Sequence, residues 1–329
     1  MKESKAAEFI LNSLLSRGES GVRNKLECAV LERVRGILGR DQSKLVRYNL
    51  DGAELLLPLA HEMPLYRRAF RHYSENVGRL ASYVAAKYPE LKIIDIGANV
   101  GDTAAIVRAK CAAPILSIAG DEFYFQRLQA NIQRSQMRDV QPCRTFVGTA
   151  TAQMSGELRR EGGTASFVAG FAQSLSTARL SEVLTLYPAF QGAKLLKVDT
   201  DGFDCQILES ESSWLAETKP VAFIEYDPYL TLKQGYDARA IFQHLLSIGY
   251  CTCIFWENTG EYLLTAELSN ISLLDDLHFY YSRHRGKKYA DIALIHEDDV
   301  DIGVEIQQAE RGYFRDVMRN ESRVSTNTP

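Results

Sequence analysis

The stretch KIIDIGANVGDT, residues 92–103, decides the fold. An apolar run ends there in Gly97 and Gly101, which flank Asn99, and a helical pattern begins immediately afterwards. Glycine lets backbone N–H groups approach a ligand closely, and asparagine tolerates the left-handed backbone conformation better than most residues. The stretch therefore predicts a strand, a tight turn and a helix, with the turn at the carboxyl end of the strand, where open α/β sheets bind their ligands.

Downstream of this turn, short apolar runs alternate with helical segments, a pattern typical of βαβ units. Seven strands are predicted, at 92–97, 115–119, 143–148, 194–199, 220–226, 250–256 and 290–296. Helices are predicted at 102–110, 122–136, 204–216 and 237–248. The expected fold class is α/β, with a mostly parallel sheet of these strands and helices on both faces. The long gap at 258–289 is interpreted as a functional insertion.

The segments on either side of this pattern differ from it. Residues 1–75 have apolar positions near helical spacing and predict an N-terminal helical extension. In the first fifty residues, ten Lys and Arg exceed six Asp and Glu, which fits a solvated helix face or a surface for an acidic partner or anionic lipid. Residues 76–300 then form the main domain, and residues 301–329 a polar C-terminal tail whose last residues, 325–329, are expected to be loose.

Composition narrows the class of protein. The 329 residues are 46% hydrophobic and 24% charged, enough to bury a core and unlike a disordered chain. A formal charge of −4 argues against a general nucleic-acid binder, because such proteins carry a basic field. No apolar run approaches the ~20 residues that span a bilayer, so a protein without a transmembrane segment, in the cytoplasm, is predicted. Six scattered cysteines fit neither a disulfide framework nor a zinc motif, and reduced thiols are expected.

The spacing of the glycine turn limits the choice of cofactor. It is GxNxG rather than GxGxxG, so the pyrophosphate-binding pattern of dinucleotide-binding proteins is not met. The turn resembles the first motif of class I S-adenosylmethionine (SAM) methyltransferases, whose glycines pass under the methionine part of SAM.

This resemblance extends over roughly residues 60–300. The turn is preceded by MPLYRRAFRHYSENVGRLASYV and followed, in order, by FQRLQANI, LLKVDTDGFDCQIL, KPVAFIEYDPY and ADIALIHEDD. Segments in this order are similar to those of FkbM-family methyltransferases. The resemblance implies a Rossmann-like class I methyltransferase domain at 76–300. It also implies a SAM-dependent O-methyltransferase (EC 2.1.1.-) that methylates a hydroxyl of a sugar, glycan or natural product, as in polysaccharide biosynthesis.

The same resemblance assigns the SAM contacts to the turn and to the end of the next strand. The residues concerned are Asp95, Gly97, Ala98, Asn99, Gly101, Asp102, Thr103 and Asp121. The chain departs from the family at Ala119, where an acid that holds the ribose hydroxyls is usual. Asp121 or Glu122 replacing that acid, and Asp121 capping the next helix, are alternatives that stay open.

Acidic residues follow two predicted strands at the same edge of the sheet. Asp199 and Asp201 follow the fourth strand, and Glu225 and Asp227 close the fifth. Because the carboxyl ends of parallel strands meet at one edge, these carboxylates are expected beside the glycine turn. A hydroxyl acceptor must lose its proton, so Asp199 is predicted as the general base, with Asp201 as a second catalytic residue. All four are also candidate ligands of a divalent metal such as Mg²⁺, and a purely structural role in turns and caps is the alternative.

Aromatic and basic side chains predict where an acceptor would bind. Tyr66 and Tyr73 precede the glycine turn, and HFYYSRHRGKK at 278–288 combines rings with cations that suit an acidic glycan or a nucleotide sugar. A basic surface loop beside core aromatics fits the same stretch. The expected partner is a small-molecule or glycan acceptor, with no nucleic acid. Two other functions stay open: a non-catalytic binding or scaffold protein, and a nicotinamide-dependent oxidoreductase.

Overall fold

The fold is described from a computed structural model of the chain, which covers residues 3–16, 22–169 and 173–326. Within these ranges the strands are β1 Leu45–Leu50, β2 Ala53–Pro58, β3 Ile93–Ile96, β4 Ile115–Ile118, β5 Val140–Cys143, β6 Phe146–Val147, β7 Ala152–Glu161, β8 Thr164–Ala169, β9 Gln173–Ala178, β10 Leu195–Val198, β11 Val221–Tyr226, β12 Tyr250–Glu257, β13 Tyr262–Glu267 and β14 Ala290–His296. The α-helices are α1 Lys5–Ser16, α2 Val22–Leu38, α3 Met63–Ala69, α4 Glu75–Lys87, α5 Asp102–Arg108, α6 Glu122–Arg134, α7 Leu180–Leu186, α8 Asp204–Ser210, α9 Ser212–Thr218, α10 Pro228–Lys233, α11 Ala240–Ser247, α12 Ile271–Ser282 and α13 Val300–Thr326.

The central sheet has eight strands in the order β13-β12-β14-β11-β10-β3-β4-β5. Strands β5, β4, β3, β10 and β11 run parallel, whereas β14 is antiparallel to both β11 and β12. The α/β fold class is confirmed. The sheet has one strand more than predicted, because β13 pairs antiparallel with β12 at the edge. The strand order reverses between β3 and β10, and the carboxyl ends of those two strands therefore flank a ligand crevice.

The four-residue strands β3 and β10 are buried on both faces. Alternate residues of β3 belong to two separate cores, with Ile93 in one and Ile94 in the other. The first core includes residues of α1, α4, α5 and α13, and the second includes residues of α7, α8, α9 and α11. A strand covered on both faces needs an almost continuous apolar run, which is why IIDI and LLKV were readable from the sequence.

Two predicted elements have different bounds. The third strand, predicted at 143–148, ends at Cys143, and residues 146–147 join a second sheet of four strands in the order β6-β9-β7-β8. The helix predicted at 204–216 is divided into α8 and α9 at Glu211. The Glu211 carboxylate is buried, and it accepts a hydrogen bond of 3.0 Å from the backbone N–H of Leu180 that compensates for the loss of water. A contact between residues so far apart in the chain leaves no local pattern.

The two ends of the chain correct the predicted extension and tail. Residues 1–75 are not all helical, because β1 and β2 form an antiparallel hairpin at 45–58. Most of the predicted tail is helical, because α13 continues to Thr326, and its Ile302 and Ile306 are buried in the first core. The many polar residues of this helix concealed its apolar positions in the sequence. Ser325 and Thr326, part of the end predicted to be loose, belong to α13, and residues 327–329 lie outside the described residues. The domain boundaries at 75 and 300 stay predictions.

Two remaining sequence expectations concern the insertion and the cysteines. The segment 258–289 contains β13 and α12, so it is mostly regular structure. All six cysteines are free thiols, as predicted. In the described ranges, no helix combines the length and apolar character needed to cross a membrane.

A buried ion pair holds α13 against the sheet. Arg79 on α4 donates to both oxygens of Glu310 on α13, over 2.7 and 2.9 Å, and both side chains are buried. The indole N–H of Trp256 on β12 donates to the same carboxylate over 2.7 Å. One acid therefore joins three elements of the fold.

Replacing this acid, Glu310→Ala, should lower the free energy of unfolding by roughly 3 to 5 kcal/mol, because the Arg79 charge is left unpaired in the core. Glu305→Ala removes an exposed acid from the same helix, and its effect should stay within about 0.5 kcal/mol. Urea unfolding followed by circular dichroism measures both. Equal losses in the two variants would contradict the role of the pair.

Candidate functional site

The turn after β3 has the conformation that its glycines predict. Gly97, Asn99 and Gly101 all have positive φ, at 86°, 46° and 89°. A Cβ at Gly97 would overlap the carbonyl oxygen of Asp199, so the turn and the end of β10 are pressed together. A Cβ at Gly101 would lie 2.9 Å from Leu128, which leaves little room there for a larger residue. The turn therefore forms a close-packed wall made of backbone.

A cavity of about 200 Å³ opens beside this wall, at the carboxyl ends of β3, β4 and β10. Its lining includes Gly97, Ala119, Phe146, Asp199 and Asp201. The Phe146 ring lies against Gly120, where a Cβ would overlap it. The lining of the cavity therefore combines apolar and aromatic side chains with carboxylates. This is the crevice that the strand order predicts.

A single buried ammonium joins the two central strands below the cavity. Lys197 Nζ on β10 lies 3.1 Å from Asp95 Oδ1 on β3 and 3.2 Å from Asp199 Oδ2. Burial raises the pKa of Asp95, and the charge of Lys197 opposes that rise. Burial alone would lower the pKa of Lys197, but the carboxylates of Asp199 and Asp95 raise it above its ordinary value. Asp95, which the resemblance assigns to the SAM contacts, is thus fully buried beneath the turn.

The two predicted catalytic acids both line the cavity. Asp199 has 47% of its side chain exposed. Asp201 has a positive φ of 54° and accepts a hydrogen bond of 2.8 Å from the Thr164 hydroxyl. Burial and, after it, the charge of Asp199 raise the pKa of Asp201 to about 6. These two carboxylates therefore border the cavity in different environments.

Asp204 supports the loop that carries them. Its Oδ2 accepts hydrogen bonds from the backbone N–H and the hydroxyl of Thr200, over 3.2 and 3.0 Å. This carboxylate binds the loop, and no side chain caps the start of α8, where Phe203 is the N-cap residue. Burial and the nearby Asp199 raise the pKa of Asp204 to about 8.

Further acids lie behind Asp199. Glu225 at the end of β11 is partly buried, and no hydrogen bond or ion pair joins its carboxylate to another described residue. Burial and the charges of Asp199 and Asp204 raise the pKa of Glu225 well above its ordinary value. Asp291 on β14 accepts a hydrogen bond of 2.7 Å from Asn76, and burial raises the pKa of Asp291 to about 7.

The predicted metal site is not formed. Asp227 caps α10 and accepts hydrogen bonds from the N–H groups of Tyr229 and Leu230 over 2.9 and 3.0 Å. None of the other three candidate metal ligands caps a helix in this way. Across residues 3–16, 22–169 and 173–326, no three acids, histidines or cysteines are placed so that they could hold a metal ion. The sequence pattern failed here because a carboxylate that ends a strand also caps a helix well.

Asp121 is a helix cap, so this alternative is confirmed. Its carboxylate accepts from the N–H groups of Phe123 and Tyr124 over 2.9 and 3.1 Å and caps α6. It also pairs in bidentate fashion with Arg160 on β7, with a closest distance of 2.7 Å. A carboxylate with four donors has little capacity left for ribose hydroxyls, and Ala119 supplies none. The residues present thus fit the methionine part of SAM, at the glycine wall, better than its ribose.

The remaining predicted cofactor residues lie in or under the same turn. Ala98 and Thr103 are buried, so their side chains pack beneath it. Asp102 begins α5, and burial raises its pKa, a rise that the charge of Lys197 opposes.

The hairpin β7–β8 crosses the site and was not predicted. The Asn99 amide donates to the carbonyl of Gly163 at its tip over 2.7 Å. The backbone N–H of Glu62 donates to the carbonyl of Gly162 over 2.9 Å. Its first strand, AQMSGELRRE, is largely polar, and its second, TASFVA, contains only the short apolar run FVA, so no long apolar run marked them. The charge of Arg160, which pairs with Asp121, is the feature of this hairpin that could have suggested its contact with the site.

Aromatic residues lie near the acids of the site. Tyr73 stacks on Tyr66 with ring centroids 5.1 Å apart. Burial raises the pKa of Tyr73, and the charge of Asp199 raises it further, which places this phenol near the cavity. Tyr289 lies in the same group, because its pKa is raised by burial and then by Glu225. Tyr66 and Tyr73 are thus beside the site, and Tyr289 was missed.

No family model matches the chain, and no curated protein matches it. Among solved structures, it is similar to an FkbM methyltransferase from Methylobacillus flagellatus, with 14% identity, a TM-score of 0.37 and coverage of 74% of this chain and 54% of that chain. The chain therefore spans about half of that protein's length. An O-methyltransferase from Bacillus cereus, solved in complex with S-adenosylhomocysteine (SAH), is 9% identical, with a TM-score of 0.37 and coverage of 67% of this chain and 80% of that chain. The METTL16 methyltransferase domain is 11% identical, with a TM-score of 0.43 and coverage of 80% of each chain.

The carboxyl of Asp204 should make stability depend on pH. Because its pKa of about 8 lies above the value in the unfolded chain, the folded protein binds the extra proton between about pH 4 and pH 8. Its contribution is therefore fully present at the acidic end of that window and is lost as the pH rises through it. Relative to the native protein, Asp204→Asn should gain at least about 1 kcal/mol of unfolding free energy between about pH 5 and pH 9.

Urea unfolding at each pH measures this difference. Asp276→Asn, which removes an exposed carboxylate from α12, is the control. A constant difference between Asp204→Asn and the native protein across the range would contradict the protonated, buried state of Asp204.

Proposed function

We propose that the protein is a SAM-dependent O-methyltransferase acting on a hydroxyl of a sugar, glycan or natural product. The observation that carries this proposal is one cavity that combines a backbone wall with carboxylates. The glycine turn at the strand-order reversal forms the wall, and Asp199 and Asp201, which follow β10, line the cavity beside it. A backbone wall accommodates an extended ligand closely, and carboxylates favour the positive charge of a sulfonium.

SAM, when bound, supplies an electrophilic methyl group on its sulfonium. The residues of this chain would bind SAM, orient the acceptor and remove the proton from its hydroxyl. The backbone groups of Gly97, Asn99 and Gly101 would hold the methionine part of SAM. The Phe146 ring would form an apolar part of the cavity wall. The carboxylates near Asp199 offset the positive charge. The missing acid at Ala119 removes charge-assisted bonds to the ribose, each worth roughly 1.5 to 3 kcal/mol, so SAM affinity should be modest.

Asp199 is the residue proposed to take the proton from the acceptor hydroxyl. It borders the cavity and is exposed to it, with one oxygen held by Lys197. Lys197 would thereby fix the orientation of the carboxylate, which is what a positioned base needs. Glu225 is the alternative base, since its carboxylate has no partner among the described residues and its raised pKa favours accepting a proton. A cytoplasmic location is part of the same proposal.

Cofactor binding tests the proposal at its first step. SAM or SAH at ~100 times its dissociation constant should stabilise the native protein by about 2.7 kcal/mol, seen as a higher melting temperature. Gly97→Ala should abolish this shift, because the added Cβ meets the backbone of Asp199. Gly192→Ala, at a position with open space, should keep it.

The outcomes separate the rival functions. No shift with millimolar SAM or SAH would favour a non-catalytic scaffold. A larger shift with NAD than with SAM would favour an oxidoreductase. Melting of each variant without ligand shows whether the substitution acts on folding or on binding.

The base is tested with paired variants. Asp199→Asn should lower turnover by ~10² or more and leave SAH affinity within a few fold, as expected for a positioned base. Glu225→Gln is the matched variant and should lower turnover much less. Methyl transfer from labelled SAM is the measurement, with SAH titration alongside. The reverse order of the two effects would transfer the role to Glu225.

A further inference from the structure

An exposed basic loop follows α12. Residues 283–288, which we call the cationic loop, contain Arg283, Arg285, Lys287 and Lys288, all exposed. No hydrogen bond or ion pair joins the first three side chains to any other residue that the structure describes. Lys288 donates to the Tyr280 hydroxyl over 3.0 Å and lies near Glu257. Three cations thus project from one short loop without a counter-charge on them.

Packing places this loop one helix away from the wall of the cavity. A Cβ at Gly286 would lie 3.4 Å from Asp227 Oδ2, at the start of α10. Along α10, the backbone of Leu230 is pressed against Gly202, where a Cβ would lie 2.7 Å from it. Gly202 directly follows Asp201, which lines the cavity. The cationic loop is therefore connected to the cavity wall through a single helix.

The chain passes directly from these cations to the acids of the site. Tyr289 follows Lys288, and burial and the charge of Glu225 raise the pKa of Tyr289. Oδ1 of Asp227 accepts from the N–H groups of α10, whereas Oδ2, the oxygen near Gly286, has no hydrogen-bond partner among the described residues. Positive charge therefore lies on the exposed loop, and negative charge lies on its inner side.

An exposed ring accompanies the cations. Phe279 on α12 is 55% exposed, and the guanidinium of Arg239 lies 5.8 Å from its centroid. Arg283 comes four residues later, on the same side of the helix. Guanidinium groups bind phosphate well, and an exposed ring can stack on a nucleobase or on an apolar sugar face.

We propose that the cationic loop binds the phosphate or diphosphate of the methyl acceptor and so directs the acceptor hydroxyl toward Asp199. The acceptor class is then a phosphorylated sugar. This rests on the proposed methyltransferase function and deepens it. A free nucleotide sugar and a lipid-linked diphosphate sugar share this chemistry.

Binding of defined phosphates by the SAH-saturated full chain tests the proposal. Isothermal titration with inorganic pyrophosphate, UDP-glucose and geranyl diphosphate should show binding that weakens with salt, while glucose should not bind. The triple variant Arg283→Ala, Arg285→Ala, Lys287→Ala should bind pyrophosphate at least tenfold more weakly. The control variant Arg33→Ala, Arg40→Ala, Arg138→Ala removes as many exposed cations elsewhere and should bind as the native protein does.

The relative affinities of the three diphosphates identify the kind of acceptor. Tighter binding of UDP-glucose than of pyrophosphate assigns a nucleotide sugar, and tighter binding of geranyl diphosphate assigns a lipid-linked one. Equal pyrophosphate affinity in the two triple variants overturns the proposal, as does tighter binding of a single-stranded RNA than of any diphosphate. Loss of SAH binding in the loop variant would also overturn it, because the loop would then be structural. Failure of the native protein to bind SAH, with pyrophosphate binding intact, would instead refute the methyltransferase function.

Discussion

The ammonium of Lys197, buried between the carboxylates of Asp95 and Asp199, is the interaction on which the site depends. It lies where β3 and β10 meet, directly below the glycine turn. A buried ion pair such as Lys197–Asp95 contributes little net stability, but replacing Lys197 would cost roughly 3 to 5 kcal/mol, because the Asp95 carboxylate would stay buried and unpaired. The carboxylate of Asp199 is therefore fixed in position at the edge of the cavity, beside the turn that presses on its carbonyl group.

Several features of the fold were readable because they are local in the sequence. The runs IIDI and LLKV are short, apolar and bounded by turn residues, so their burial could be predicted. Gly97 and Gly101 occupy positions of positive φ that few other residues adopt, so the turn was also predictable. The placement of Asp199 and Asp201 at the cavity followed from the rule that parallel strands end at one edge.

Other features depend on contacts between distant residues, and no local pattern marks them. Asp121 is held by Arg160, thirty-nine positions away, on β7, whose polar sequence gave no signal. Asp227 caps a helix rather than joining a metal site, although its spacing from Glu225 matches that of Asp199 and Asp201. The polar helix α13 is held by Glu310, whose partner Arg79 lies on α4, 231 positions earlier in the chain. Side chains that serve as caps or ion-pair partners cannot be distinguished from functional ones by spacing alone.

The distribution of charge unites the site with its surroundings. Asp199 and Asp201 line the cavity, and Glu225 on β11 and Asp291 on β14 lie near Asp199, with burial raising the pKa values of Glu225 and Asp291. Such a group is costly by itself and becomes less so beside a bound cation. The exposed cations of the loop at 283–288 lie one helix away from the cavity wall. Under the proposed function, a positively charged cofactor and a negatively charged acceptor would therefore be favoured at different places.

A crystal structure of the SAH complex tests this account most directly. We expect the homocysteine part of SAH to lie against residues 97–101, with its sulfur directed toward the Asp199 carboxylate. SAH bound elsewhere, or bound in this cavity with its sulfur directed away from Asp199, would contradict it.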